Sequence, residues 1–195
     1  MKKLLILLLL ISVNVFAQGE KTPFRVLIEE VKGDLNKDGL ADLVKLTQDT
    51  LDDTAPYRLQ VFFAQPNGKW KLVVSSDQVI APQFPNGKDG LHSEASFDNI
   101  TIKNNVLSIH NQLIRGNFVH KFRYQNGNFE LIGFTQVGAN GLGVMFKNDF
   151  NLSTGVRHYK EERYDTNEVT LNKTEKKLIR PLPKLQTFVP FEKDF

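Results

Sequence analysis

Short alternating segments separated by turn dipeptides confine this chain to antiparallel β structure. Asn67-Gly68 and Asn126-Gly127 are strong hairpin signals, because the favoured hairpin turns need positive φ at their central residues. The segment 57–63 is expected to return as 70–74 across the first of these turns. Segment 117–124 is expected to return as 129–135 across the second, and the apolar run Leu131-Ile132-Gly133-Phe134 reads as buried on both faces. Between them, 99–103 and 106–113 flank Asn104-Asn105. Leu107, Ile109 and Leu113 share one face of the second segment. Phe118, Phe122 and Tyr124 share one face of 117–124, with Lys121 and Arg123 opposite. Further strands are expected over 24–31, 41–47, 144–150, 156–164 and 169–179. Gly138-Ala139-Asn140-Gly141-Leu142-Gly143 precedes a strand and not a helix, so it reads as a strand connection and not a phosphate cradle. No segment has convincing helical periodicity. No repeat of 20–50 residues is present, which excludes a complete propeller. The expected fold is all-β, an antiparallel sandwich or rolled sheet.

The most polar of the connections is Gly33-Asp34-Leu35-Asn36-Lys37-Asp38-Gly39-Leu40-Ala41-Asp42-Leu43. Calcium takes six to eight oxygen ligands, so a loop that binds it presents oxygens at alternate positions of a tight turn. Asp34, Asn36 and Asp38 stand at loop positions one, three and five. Gly39 at position six permits the sharp bend. The carbonyl of Leu40 falls at position seven and Asp42 at position nine. An EF-hand would carry a bidentate Glu at position twelve, where this chain has Lys45, and its flanks would be helical, where these read as strands. The same residues also favour a plain turn without an ion. Three carboxylates within nine residues repel one another, however, and a turn alone does not need them.

This stretch resembles the calcium loop of FG-GAP/VCBS-type repeats, which occur in integrin α-chain propellers and in secreted bacterial proteins. The correspondence covers about a dozen residues, with Asp34, Asn36, Asp38 and Asp42 on the family's oxygen-bearing positions and Gly39 on its glycine. It implies a structural Ca²⁺ held by Asp34, Asn36, Asp38, Leu40 and Asp42, and it implies no reaction. Residues 122–135 resemble the strand pair that ends a class of uncharacterised secreted bacterial proteins with the same loop.

The chain opens with Lys2 and Lys3 followed by an apolar run over 4–15, and Val15-Phe16-Ala17 suits a cleavage site, so residues 1–17 read as a signal peptide and 18–195 as one β domain. The run is shorter than the roughly 20 residues that a spanning helix needs, and no Cys follows it to carry a lipid. The expected location is periplasmic or secreted, soluble and without a membrane anchor. The sequence contains no cysteine, which excludes disulfides and thiol chemistry. Its 15 Phe against one Trp suggest a core built on Phe and β-branched residues. Formal charge is +3, and removing Lys2 and Lys3 leaves 23 basic against 22 acidic residues, a balance that gives no argument for nucleic acid.

Two catalytic patterns are absent from the sequence, while a pair of catalytic carboxylates is not a sequence property, because its separation is set by the fold. There is no Gly-x-Ser-x-Gly elbow and no His-x-x-x-His pair. His110 and His120 read as sheet-face residues, and His92-Ser93-Glu94 has nothing to orient it. Asp49, Asp52 and Asp53 read as a solvated acidic loop. Residues 75–97 form a long Pro/Gly-rich loop, the first candidate for contact with a protein or glycan partner. Proline-rich residues 181–190 read as an extended tail pinned by Leu182, Leu185, Phe188 and Phe191. The resulting expectation is an exported, non-catalytic, calcium-binding interaction module. A periplasmic inhibitor or immunity protein directed at an enzyme or toxin is the alternative, and a hydrolase of cell-wall or glycan substrates is the third reading.

Overall fold

The computed structural model describes residues 23–91 and 93–190; the expected signal peptide, His92 and Phe191 lie outside the described residues. The fold is all-β, with two antiparallel sheets and, among the described residues, one single 3₁₀ turn and no α-helix. Sheet one comprises β1 (Val26–Gly33), β2 (Asp42–Gln48), β3 (Tyr57–Ala64) and β4 (Trp70–Ser76), each paired with the next in sequence. Sheet two is a seven-stranded meander of β5 (Ala95–Lys103), β6 (Val106–Leu113), β7 (Gly116–Gln125), β8 (Asn128–Ala139), β9 (Val144–Asn151), β10 (Val156–Arg163) and β11 (Val169–Lys176).

Alternation decides which face packs. In β2 and β3, Val44, Leu46, Leu59 and Val61 are fully buried; from sheet two Leu107, Ile109, Phe122 and Leu131 meet them. The tight turns follow from residues that tolerate positive φ. Asn104 and Asn105 join β5 to β6 at φ 53° and 60°, and Asn126 and Gly127 join β7 to β8 at 52° and 74°. The four strands of sheet one cannot cover seven. The strands β9–β11 therefore extend as a wing, and β11 is exposed along almost its whole length.

Three departures from the sequence reading have clear causes. The run Leu131–Phe134 is not buried on both faces. Phe122 pairs with Leu131 and Lys121 with Gly133, so Ile132 is the extra residue of a β-bulge, and the bulge turns both Leu131 and Phe134 inward. Next, β8 runs on through Gly138 and Ala139, because Gly138 lets the Phe146 ring of β9 lie where a Cβ would collide with it. Third, the long loop begins only after Ser76, and its first part is built into the fold. Val79 and Ile80 are buried, while the Gln83 and Phe84 N–H groups donate to the carbonyls of Ala55 and Thr54.

The two sheets also meet along one edge. A carboxylate oxygen of Glu29 in β1 accepts the N–H of Ile100 in β5 at 3.0 Å, at a place where both strands are bulged. At the opposite side the tail closes the sandwich between β4 and β8. Leu182, Leu185 and Phe188 are buried there, and Leu131 donates its N–H to the Pro183 carbonyl at 2.8 Å.

Candidate metal centre

The loop between β1 and β2 spans residues 34–41, because Gly33 and Asp42 are already paired across the hairpin. Its chain reversal uses left-handed backbone at Lys37 (φ 69°) and at Gly39 (φ 83°), the second at the position where the spacing demanded a glycine. The side-chain oxygens fold onto the loop's own N–H groups. Asp34 accepts from Lys37 at 2.6 Å and from Gly39 at 3.1 Å. Asn36 accepts from the Asp38 N–H at 3.0 Å and donates its amide to Asp38 at 2.8 Å. The other Asp38 oxygen accepts from Leu40 at 2.8 Å.

Asp42 differs from the rest. Its side chain is wholly buried, one oxygen accepting the N–H of Leu35 at 2.8 Å and the other the N–H of Ala64 at 3.0 Å. Burial pushes its carboxyl above the ordinary range. The N–H groups of Leu35, Ala64 and Asn36 oppose that rise, and the negative charge of Asp38 adds to it.

Two further contacts fix the loop to the body. Leu35 is 1% exposed and enters the core, so the loop cannot lift without unpacking it. From sheet two, the Asn105 amide donates to the Asp34 carbonyl at 2.8 Å. The loop therefore touches β3 through Asp42 and the β5–β6 turn through Asn105. Sequence reading anticipated neither Ala64 nor Asn105 as a partner. A side-chain amide in a turn carries no local sign of the strand it will reach.

The donor set suits a hard cation that prefers oxygen. A carboxylate keeps about four lone-pair sites, so Asp34 and Asp38 retain acceptor capacity beyond their present bonds. Asn36 and the Leu40 carbonyl add neutral oxygens. Asp42, like Asp34 and Asp38, has both oxygens engaged, and it is the one of the three that is wholly buried. None of the ion pairs among the described residues neutralises Asp34, Asp38 or Asp42. Among those residues no three His, Cys, Asp or Glu side chains are grouped closely enough to hold a metal. The oxygens are thus consecutive along one loop, and they are not gathered around a point.

The other acidic and histidine residues are dispersed. Asp52 accepts both the N–H and the hydroxyl of Thr54, which hold its carboxyl below the ordinary range, and Asp49 accepts the Leu51 N–H at 3.0 Å. These are turn-closing bonds of the kind the solvated-loop reading expects. His110 meets Thr101 at 3.1 Å, His158 meets Thr174 at 2.9 Å, and His120 is buried among aromatic rings.

No protein-family model matches the chain, and no curated protein or solved structure matches it either.

Proposed function

We propose that the Asp34–Asp42 loop binds one structural Ca²⁺ in an exported, non-catalytic β-sandwich that acts as an interaction module. The observation that carries the reading is the loop's dual attachment. Oxygens at alternate positions sit on a turn fixed to β3 through Asp42 and to the β5–β6 turn through Asn105. An ion held there would tie the two sheets at one end and supply the positive charge that the three carboxylates lack. Asp34, Asn36, Asp38 and the Leu40 carbonyl would hold it, with Asp42 contributing its remaining lone pairs from beneath. Ca²⁺ is favoured over Mg²⁺ because a flexible all-protein oxygen loop suits the larger ion, whereas Mg²⁺ demands octahedral geometry and keeps its water.

The chemistry of the loop is that of a clamp. It offers acceptors and no positioned base or nucleophile, which is why the reading is a binding module and not an enzyme. Calorimetric titration of calcium-stripped protein tests it directly. One bound Ca²⁺ per chain, weakened in Asp38→Ala and poorly replaced by Mg²⁺, is expected; no heat of binding would overturn the reading. Export is checked by sequencing the amino terminus of protein recovered from cells, which should begin at or within two residues of Gln18.

A further inference from the structure

We propose that a cleft on the outer face of sheet two, across β8, β9 and β10, binds a single-chain amphiphile with a carboxylate head. The register builds the cleft. Ala139 pairs with Met145 and Met145 with Glu162, while Val137 pairs with Lys147 and Lys147 with Lys160. Cross-strand partners share a face, so these six side chains form two adjacent rows on the side opposite to that carrying Phe134 and Phe150. Together with the β6–β7 turn they enclose about 480 Å³, within the range of roughly 300–1,000 Å³ in which small-molecule sites fall.

The floor is apolar and shallow-walled, made by Val137, Ala139 and Met145. The rim is cationic. Arg115 enters from the β6–β7 turn, whose carbonyl accepts the Ala139 N–H at 3.0 Å, and its guanidinium lies over Gly141, where a Cβ would come within 3.1 Å of Nη1. Lys160 is already paired with Glu162. Arg115 and Lys147 have no ion pair among the described residues. An apolar trough with two uncommitted cations at its rim is complementary to an alkyl chain that ends in an anion: the trough removes methylenes from water, and Arg115 and Lys147 meet the carboxylate in charge-assisted hydrogen bonds. This site is separate from the cation loop and does not depend on it.

The test is an NMR titration of the natively processed protein with dodecanoate, below its micellar concentration and in calcium-free buffer. Amide shifts are expected at residues 115–116, 137–147 and 160–162. Arg115→Ala and Lys147→Ala should each weaken binding by about tenfold, the scale of one charge-assisted hydrogen bond. Ala139→Trp, which fills the floor, should abolish binding, and Asp38→Ala should leave it intact. Dodecanol and acetate separate chain from head, and both should bind far more weakly than dodecanoate. The proposal is overturned if either binds as well, if the shifts fall elsewhere, or if the Arg115 and Lys147 variants retain full affinity. Concentration-dependent dimerisation that hides these same amides without ligand would assign the cleft to a second copy of the chain, and would overturn it too.

Discussion

The buried carboxylate of Asp42 accepts the backbone N–H of Ala64, 22 residues further along the chain. Its second oxygen accepts the N–H of Leu35, so one side chain joins the loop, the start of β2 and the end of β3. Removing it strands the buried N–H of Leu35 and the partly buried N–H of Ala64, and a buried donor left unpaired costs about 1–3 kcal/mol. Asp42→Ala should therefore destabilise the fold by about 2–5 kcal/mol, and Asp42→Asn, which keeps one acceptor, by roughly half as much. Urea unfolding measures this. A loss below about 0.5 kcal/mol for the alanine variant, the size of an ordinary surface substitution, would mean that the carboxylate is not the tie between these strands.

The proposed ion would have a separate signature from that tie. Asp38 is exposed and bonds only within the loop, so Asp38→Ala should change stability little when calcium is chelated. With free Ca²⁺ at about 100 times Kd, the wild-type protein should gain roughly 2.7 kcal/mol by mass action, and the variant should gain much less. Differential scanning calorimetry with calcium and with chelator checks both proteins. Identical wild-type midpoints in the two buffers would reduce the loop to a turn.

Much of this architecture is legible in the sequence because it is local. Asn104-Asn105 and Asn126-Gly127 announce their hairpins through residues that accept positive φ, and the strands on either side alternate. The chain gives no comparable sign of where one sheet ends and the next begins. That break falls between β4 and β5, where Val79 and Ile80 sit in the core and so do not behave as a free loop. The Ile132 bulge is hidden for a related reason. An unbroken apolar run looks the same whether both faces are covered or an extra residue shifts the pleat. In the 34–42 loop, the spacing of the oxygen-bearing residues is a sequence property. The partnership of Asp42 with Ala64 and of Asp34 with Asn105 is a property of the folded sandwich.

The seam between β1 and β5 should show energetic coupling. A Cβ at Gly33 would approach the Ile102 Cγ2 atom to 2.6 Å, closer than real contacts allow. Overpacking of this kind costs about 1–3 kcal/mol, which is the loss expected for Gly33→Ala. Ile102→Ala removes the obstructing methyl. In the double variant part of the Gly33→Ala loss should therefore disappear, leaving a favourable coupling of at least about 0.5 kcal/mol in a double-mutant cycle. Strict additivity would show that the two sheet edges do not meet as tightly as these positions require.

His120 makes the fold sensitive to acid. Its ring is 3% exposed, lies between 4.8 and 5.3 Å from the rings of Phe118, Phe134 and Phe188, and leaves Nδ1 without a hydrogen-bond partner. Burial pushes its pKa down to about 3. The imidazole is therefore neutral in the folded protein, while the unfolded chain takes up a proton near pH 6.5. Stability from this residue is complete above that pH and is lost as the pH falls towards 3, at up to about 1.4 kcal/mol per unit. Glu29 and Asp42, both raised chiefly by burial, act in the opposite sense, because the folded state binds their protons more tightly than the unfolded chain does. Comparison with His120→Phe removes that background, since phenylalanine fits an aromatic cage without titrating. Between pH 7 and pH 5 the wild-type protein should lose about 2 kcal/mol more than the variant. Denaturant midpoints at the two pH values measure the difference, and parallel losses would show that the ring is solvated and titrates normally.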